Sequence, residues 1–344
     1  MKTAFLKLDP EDFSEEALDL PARLIAGGEL VAFPTETVYG LGASALDDAA
    51  VKRIYEAKGR PSFNPLIIHI ASPCEADRYA VTDGRYRALA EAFMPGPLTV
   101  VMPYRGGVAP SVTAGLSTIA VRCPVHPVAR ALIRRAGVPI AAPSANLSGK
   151  PSTTTAEHVL HDLGGKIPCI IDGGPASVGL ESTIVKLSPD GENLLLRPGG
   201  ITLEMLRGVL GEVAVSDAVL HPPAPGARPE SPGMLLKHYA PDAPLYLVRS
   251  DRREKVDLFL KKAAQDRENA VLCFAGSVPP APNVYYLGNA EQEDEEAKNL
   301  FALLRLADRE GIRRIYAPLP DAAGIGLALQ NRMLRAAAFR IKEI

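Results

Sequence analysis

Between Leu30 and Ile70 the chain reads LVAFPTETVYGLGASALDDAAVKRIYEAKGRPSFNPLIIHI, and few arrangements satisfy all of it. Leu30–Phe33 is a short apolar run closed by Pro34, the pattern of a buried strand. Asp47-Asp48 opens a helix, with acids in its first turn and Val51, Ile54 and Tyr55 at helical spacing. That helix should stop near Lys58-Gly59, because glycine is favoured just past a C-terminus and Pro61 cannot continue the ladder. Leu66–Ile70 is the next strand. Strand, helix and strand in such quick succession imply α/β construction. The turn Pro34-Thr35-Glu36-Thr37 then places two hydroxyls and a carboxylate past a strand's C-terminal end, where ligands of open α/β sheets usually sit.

The corner after this helix is basic. On a continuing helix Lys58 and Arg60 would point apart, since only residues three or four apart share a face. Past a Gly-Pro stop they can converge on one anion. The alternative is that Lys58 only complements the negative helix C-terminus. Asn64 and His69 follow, and a histidine inside Leu-Ile-Ile-His-Ile also reads as an ordinary core residue.

Further along, residues 10–27 carry an amphipathic helix with Ala17, Leu18, Leu20, Leu24 and Ile25 as its stripe. Asp83–Phe93 reads as a helix, Leu98–Met102 as a strand, and Ser117–Cys123 as a strand with Ile119 and Val121 on one face. Its other face carries Thr118 and Arg122, which could line a cleft or simply meet solvent. Val138–Ala142 is strand-like and feeds the loop Pro143–Ser152, rich in hydroxyl, amide and glycine. Thr154 and Glu157 make a capping box for a helix whose stripe is Ala156, Val159, Leu160 and Leu163. A loop entering a helix N-terminus is a ready anion site. Capping accounts for Thr154 but not for Ser144 and Asn146. Cys169–Ile171, Glu181–Val185 and Leu194–Leu196 read as strands, the last followed by Arg197, and Leu203–Leu210 as the closing helix.

The sequence divides into residues 1–210, a proline-rich linker at 211–243 and a small α/β unit at 244–344. Met234–Tyr239 is too apolar and aromatic for a mere spacer, so the linker should dock on a surface. From Pro244 the order is strand, helix, strand, strand, helix, strand, helix, a three-layer pattern with no catalytic constellation of its own. The acidic run Glu291–Glu296 reads as a solvated helix start. Four cysteines without a CxxC pair offer neither a zinc site nor a disulfide framework, and no apolar leader is visible, so a cytoplasmic location is expected. A formal net charge of −2 argues against gripping a long stretch of RNA unaided. Gly40–Ala45 matches a loose GxGxxA, but the strand ends at Phe33 and no acid follows about twenty residues on. Gly149-Lys150-Pro151 lacks the Ser/Thr of a P-loop. What remains is a set of cations (Lys58, Arg60, Arg122, Arg197), hydroxyls (Thr35, Thr118, Ser144, Ser152, Ser182) and amides (Asn64, Asn146) with no credible Ser–His or cysteine nucleophile. Such a set suits phosphoryl or nucleotidyl transfer, where positioning and charge neutralisation dominate.

PTETVYGLG, KGRPSFNPL and PSANLSGKPS together resemble the YrdC-like domain, whose KxR…SxN signature appears here as Lys58/Arg60 and Ser144/Asn146. Ser231–Pro241 resembles the linker of the two-domain members, the threonylcarbamoyl-AMP synthases, so the likeness spans roughly residues 15–242. The resemblance implies a twisted mixed sheet flanked by helices around a concave cavity, with a small Rossmann-like domain behind it. It implies a nucleotidyltransferase that joins L-threonine, bicarbonate and ATP into threonylcarbamoyl-AMP and pyrophosphate. The product would pass to a tRNA threonylcarbamoyl transferase that makes threonylcarbamoyladenosine beside the anticodon. By matching positions, Thr35, His69, Arg122, Ala142 and Ser182 would hold threonine, and Lys58, Asn64, Thr118, Ser144, Ser152, Arg197 and Tyr239 would hold ATP. Arg60 and Asn146 complete the signature, Mg2+ would enter on the phosphates rather than on protein side chains, and the linker would act as a lid. Two rivals are a double-stranded RNA-binding module, disfavoured by the charge, and a carbamoyl-adenylate-forming enzyme, disfavoured by the missing zinc-finger cysteines.

Overall fold

The computed structural model describes residues 2–222, 229–233, 238–289 and 293–344. The expected docking of Met234–Lys237 and the first two residues of the acidic run at 291–296 lie outside the described residues; the rest of the run opens a helix at Glu293.

The first half comprises β1 (Ala4–Lys7), α1 (Asp19–Ala26), β2 (Val31–Phe33), β3 (Gly40–Ser44), α2 (Asp48–Lys58), β4 (Ile67–His69), α3 (Gly84–Phe93), β5 (Leu98–Pro103) and α4 (Pro110–Thr113). It continues through β6 (Thr118–Arg122), α5 (Pro127–Ala136), β7 (Ile140–Ala142), α6 (Ala156–Leu163), β8 (Cys169–Asp172), β9 (Thr183–Leu187), β10 (Asn193–Arg197), α7 (Leu203–Leu210) and β11 (Ala214–Val215). These strands form one mixed sheet in the order β1-β8-β2-β3-β7-β4-β6-β5-β9-β10-β11. The second half has β12 (Leu245–Arg249), α8 (Arg253–Ala263), β13 (Asn269–Cys273), β14 (Val284–Tyr286), α9 (Glu293–Arg309), β15 (Arg314–Pro318), α10 (Gly326–Ala336) and β16 (Ile341–Glu343). Its strands are all parallel, in the order β14-β13-β15-β12-β16, with α8 on one face and α9 and α10 on the other. Mixed α/β architecture with a second, three-layer unit is therefore what the chain adopts.

The large sheet is covered unevenly. On one face α2, α3, α6 and α7 bury Val51, Ile54, Leu89, Val159 and Leu206 against Leu41, Ile68, Val100 and Val121. On the other, α1 and α5 cover only the end around β2 and β7, packing Ile25 and Leu132 on Phe33 and Ile140. Beyond them Ile67, Ala120 and Ile184 form a small separate cluster. Side chains alternate along a strand, so His69 and Arg122, in register across β4 and β6, share that less covered face.

Local signals behave as the chemistry requires at α2. Asp47 caps it by accepting from the Ala49 and Ala50 amides, and Gly59 ends it at φ 62°, a left-handed conformation open to glycine. Four expectations are corrected. Residues 10–27 are not one helix: a 3₁₀ turn at Glu15–Leu18 precedes α1, and Leu20 is exposed while Ala22 is buried. The cap of α6 is Thr155, not Thr154. Its stripe includes Asp162 in place of the exposed Leu160, because Asp162 pairs with Arg305 of α9. Gly40–Ser44, read only as a false dinucleotide fingerprint, is a central strand. A Cβ on Gly42 would stand 2.7 Å from Ile140 Cγ2 and 2.8 Å from Phe33 Cε1, so glycine there permits close packing. Strands β1, β11 and β16 and helices α4 and α5 complete the fold beyond the expected elements. Among the described residues no helix is long and apolar enough to cross a membrane.

Candidate functional site

One cavity gathers side chains from distant parts of the chain. Thr35, Val38, Tyr39 and Gly40 come from the turn after β2, Arg60 from the corner after α2, and Ile67 and His69 from β4. Arg122 ends β6, Ala142 ends β7, and Ser144 opens the following loop, while Glu181, Ser182 and Arg197 come from the β9–β10 side. Pro232, Gly233, His238 and Tyr239 of the linker lie across it and reduce its free volume to about 40 Å3. That is room for a few water molecules at most.

Lys58 stands directly behind this wall. Fully buried at the end of α2, its Nζ donates to the carbonyl oxygens of Ser144 at 2.6 Å and of Asn146. The Ser144 hydroxyl donates to Asn146 Oδ1, and Asn146 Nδ2 donates to the carbonyls of Leu147 and Lys150 at 2.7 and 2.9 Å. Lys58, Ser144 and Asn146 of the KxR…SxN signature are thus one hydrogen-bonded unit that fixes the loop. Arg60 turns the other way and donates to the Pro65 carbonyl at 3.0 Å. Arg197 is 4 % exposed although it precedes Pro-Gly. Its Nε and Nη2 donate to the backbone and hydroxyl oxygens of Ser182 at 3.1 and 3.2 Å, and its Nη1 to the Pro232 carbonyl at 3.2 Å. Ser182 and Thr99 share a hydroxyl–hydroxyl bond of 2.8 Å.

Two carboxylates balance part of the positive charge. Glu36 accepts from Arg122 Nη2 at 2.6 Å in a buried pair. Glu181 accepts from Ser152 and from Arg332 of α10, the latter at 2.7 Å. Burial works to raise the Glu181 carboxyl, but the charges of Arg332 and Arg197 and these hydrogen bonds outweigh it, so it stays below its ordinary value. Burial pushes the Lys58 ammonium well below its usual range, lowers Arg197, and brings Arg60 to about 10. Burial, with Arg122 nearby, brings His69 to about 3, so it is a neutral imidazole at physiological pH, set edge-on to Phe33 at 5.9 Å.

Several buried polar atoms here have no hydrogen-bond partner among the described residues: Glu36 Oε2, Arg60 Nε, His69 Nδ1, Arg122 Nε, Tyr239 OH and both side-chain ends of Asn64. Stranded groups like these cost free energy unless a ligand or water meets them, and four of these residues, Arg60, His69, Arg122 and Tyr239, line one cavity, which marks it as a binding site. A roomier cavity of about 530 Å3 opens near β12, β15 and the start of α8, but its Arg249 is exposed and paired with Glu343.

Most of the residues singled out in the sequence therefore meet. Thr35, Arg60, His69, Arg122, Ala142, Ser144, Ser182, Arg197 and Tyr239 line the cavity, and Lys58, Asn146 and Ser152 brace its walls. Thr118 does not join them: it lies at the far end of β6, four residues or about 13 Å from Arg122. Asn64 is buried beside Arg60 without lining the cavity. Glu181, His238 and Arg332 were not singled out. The first two adjoin residues that were, and a carboxylate amid so many buried cations was the available signal. Arg332 gave none, being one charged residue on an amphipathic helix.

A family model described as "Telomere recombination" matches residues 23–199, and one described as "Threonylcarbamoyl-AMP synthase, C-terminal domain" matches residues 201–338. The chain is 45% identical over 338 residues to the threonylcarbamoyl-AMP synthase of Pyrococcus abyssi, covering 97% of this chain and 98% of that one. It is 45% identical over 324 residues to the Bacillus subtilis protein of the same name, covering 93% and 92% respectively. The crystal structure of P. abyssi Sua5 complexed with L-threonine matches with a TM-score of 0.89 at 43% identity, covering 100% of both chains.

Proposed function

The chain belongs to the threonylcarbamoyl-AMP synthase family, and from that kinship we propose that its cavity joins L-threonine, bicarbonate and ATP into threonylcarbamoyl-AMP with release of pyrophosphate. One observation carries the nucleotide half of this reading. Lys58, Arg60 and Arg197 are buried, and among the described residues none is paired with a carboxylate; their hydrogen bonds go to carbonyl and hydroxyl oxygens. Buried cations without counter-ions are unstable as a group, and a polyphosphate in the cavity that Arg60 and Arg197 line would supply the missing charge. Threonine is supported by the complex of the P. abyssi relative and by the neighbouring neutral, polar pocket of Thr35, His69, Ala142 and Ser182.

In this reading the threonine carboxylate competes with Glu36 for Arg122, whose Nε is still unpartnered. The neutral His69 ring and the Thr35 and Ser182 hydroxyls orient the amine and side chain. The amine captures bicarbonate with loss of water, or CO2 with loss of a proton, to give a carbamate. A carbamate oxygen attacks the α-phosphorus in line, the bond to the β-phosphate bridging oxygen breaks, and pyrophosphate leaves. Lys58 acts by holding Ser144 and Asn146 in place, and Arg60, Arg197 and Ser144 face the phosphates. Glu36 and Glu181 are already engaged by arginines, and no described group of three or more His, Cys, Asp or Glu residues could hold a metal ion. In this reading magnesium enters on the substrate, as Mg-ATP. With His238 and Tyr239 among its lining residues the cavity has about 40 Å3 free, too little for a nucleotide, so in this reading the linker moves aside for ATP to enter. The chain would work in the cytoplasm and pass its product to a tRNA threonylcarbamoyl transferase. The test is pyrophosphate release from ATP with threonine and bicarbonate each omitted in turn: release must require both, and release without threonine would overturn the reading.

A further inference from the structure

Arg332 sits on α10, in the C-terminal unit, and is fully buried. Its Nε donates to Glu181 Oε2 at 2.7 Å, its Nη2 to the Glu181 carbonyl at 3.3 Å, and its Nη1 to Asn331 Oδ1 at 2.7 Å. Its guanidinium carbon lies 5.4 Å from the centre of the Tyr239 ring. Glu181 therefore has one carboxylate oxygen on Arg332 and the other on Ser152. Both Glu181 and Arg197 line the cavity, and the positive charge of Arg197 already acts on the Glu181 carboxyl. Arg197 nonetheless donates only to carbonyl and hydroxyl oxygens.

We propose that Arg332 is a positioning residue lent by the C-terminal unit: by holding the Glu181 carboxylate it keeps that group off Arg197, which stays free to receive the anionic substrate. The identity of that anion as a nucleotide polyphosphate rests on the reading above. Without Arg332, a buried carboxylate would turn to the nearest buried cation, and carboxylate and guanidinium close readily into a two-bond fork. Arg197 would then be neutralised from within the protein. The C-terminal unit would thus set the charge available in a cavity whose lining comes from the first half of the chain and the linker.

The experiment uses the full chain and inorganic tripolyphosphate as probe, with affinity read by titration calorimetry and folding by urea denaturation. Arg332→Met should weaken binding by about tenfold or more, the equivalent of one lost charge-assisted contact. Adding Glu181→Gln to that variant should restore affinity to within about threefold of the wild type, because a neutral amide no longer captures Arg197 and no buried charge is left unpaired. The urea midpoint should recover in the double variant as well, because no buried charge is left unpaired, so the affinity of folded protein is read separately from stability. If Arg332→Met does not fold, Arg332→Gln takes its place; its neutral donor holds Glu181 more weakly, so a smaller loss of about threefold and the same rescue by Glu181→Gln are expected. A folded Arg332 variant that binds within about twofold of the wild type overturns the proposal. So does a double variant that regains the urea midpoint but not the affinity, since Arg332 would then act directly on the anion. Wild-type pyrophosphate release decides the synthase reading separately, so either idea can fail alone.

Discussion

Replacing Lys58 by methionine tests the signature loop at its anchor. The side chain ends α2, is 3 % exposed, and donates to the Ser144 and Asn146 carbonyls. Methionine keeps most of the stem's volume and removes every donor. Each buried carbonyl stripped of its donor costs about 1–3 kcal/mol, so the two together cost about 2–6 kcal/mol. Part of this is offset, because burial disfavours the ammonium itself and holds its pKa well below the ordinary value. A net loss of about 2 kcal/mol is expected, which lowers the urea midpoint without unfolding the protein. Activity should fall further, by about a hundredfold or more, since Ser144 and Asn146 lose the contact that preorganises them. The pH dependence has a definite sign. With its native pKa depressed, Lys58 binds fewer protons folded than unfolded, so wild-type stability gains from rising pH between that depressed value and about 10.4, and the variant lacks this slope. Pyrophosphate release and urea denaturation across neutral to alkaline pH supply the readings. A folded variant retaining activity within about threefold of the wild type would remove Lys58 from the machinery, and equal stability at neutral pH would refute the hydrogen-bond accounting.

Three other outcomes are expected. Burial works to raise the Asp162 carboxyl, but Arg305 above all, with help from His161 and the Leu147 amide, brings it to about 2, so its contribution is present above about pH 4 and lost as pH falls toward 2. Asp162→Asn should therefore cost about 2–4 kcal/mol at neutral pH and flatten the acid limb, readable by urea denaturation at pH 3 to 7; a neutral-pH stability equal to wild type would refute the clamp. Gly42→Ala should destabilise by about 1–3 kcal/mol in thermal or chemical melts, because its Cβ would meet Ile140 and Phe33; a wild-type melting temperature would show that β3 can shift. Chelating Mg2+ should abolish pyrophosphate release and leave the melting temperature unchanged, whereas a fall in melting temperature would point to a protein-held metal.

The sequence was most legible where one short segment carries both its own start and stop. Asp47, the apolar spacing of α2 and Gly59 define that helix without help from the rest of the chain. Strand β3 was obscured for the opposite reason. Its Gly-Leu-Gly-Ala-Ser composition reflects what Phe33 and Ile140 leave room for, a tertiary fact that propensity does not encode. Helix α5 did carry its signals, with Pro127 in the first turn, apolar Val128, Leu132 and Ile133, and Gly137 at φ 69°, so it was readable although it went unread. In the site, residue types pointed to anion chemistry, but which cations keep a carboxylate partner depends on packing alone. Nothing near Arg122 or Arg197 in sequence distinguishes the one that meets Glu36 from the one that does not.

The C-terminal unit shows the same limit in its strongest form. It offers no catalytic motif, yet two of its buried arginines reach into the first half of the chain. Arg332 engages Glu181 at the cavity wall. Arg305 of α9 donates to both oxygens of Asp162, at 2.9 and 2.8 Å, and to the Pro151 and Ser152 carbonyls at the end of the signature loop. Phe301 and Arg332 also flank the Tyr239 ring, at 5.3 and 5.4 Å. One surface of α9 and α10 therefore touches the carboxylate, the loop and the linker that bound the cavity. Buried ion pairs of this kind contribute little net stability over apolar packing of equal volume, so adhesion alone is a weak reason for them. On the proposal above, the Arg332–Glu181 pair does something an apolar contact could not: it leaves Arg197 without a carboxylate, while the Tyr239 ring lies against the same guanidinium. If the linker moves aside for ATP as proposed, the Tyr239 ring leaves the Arg332 guanidinium, and opening of the site is then coupled to the charge it presents.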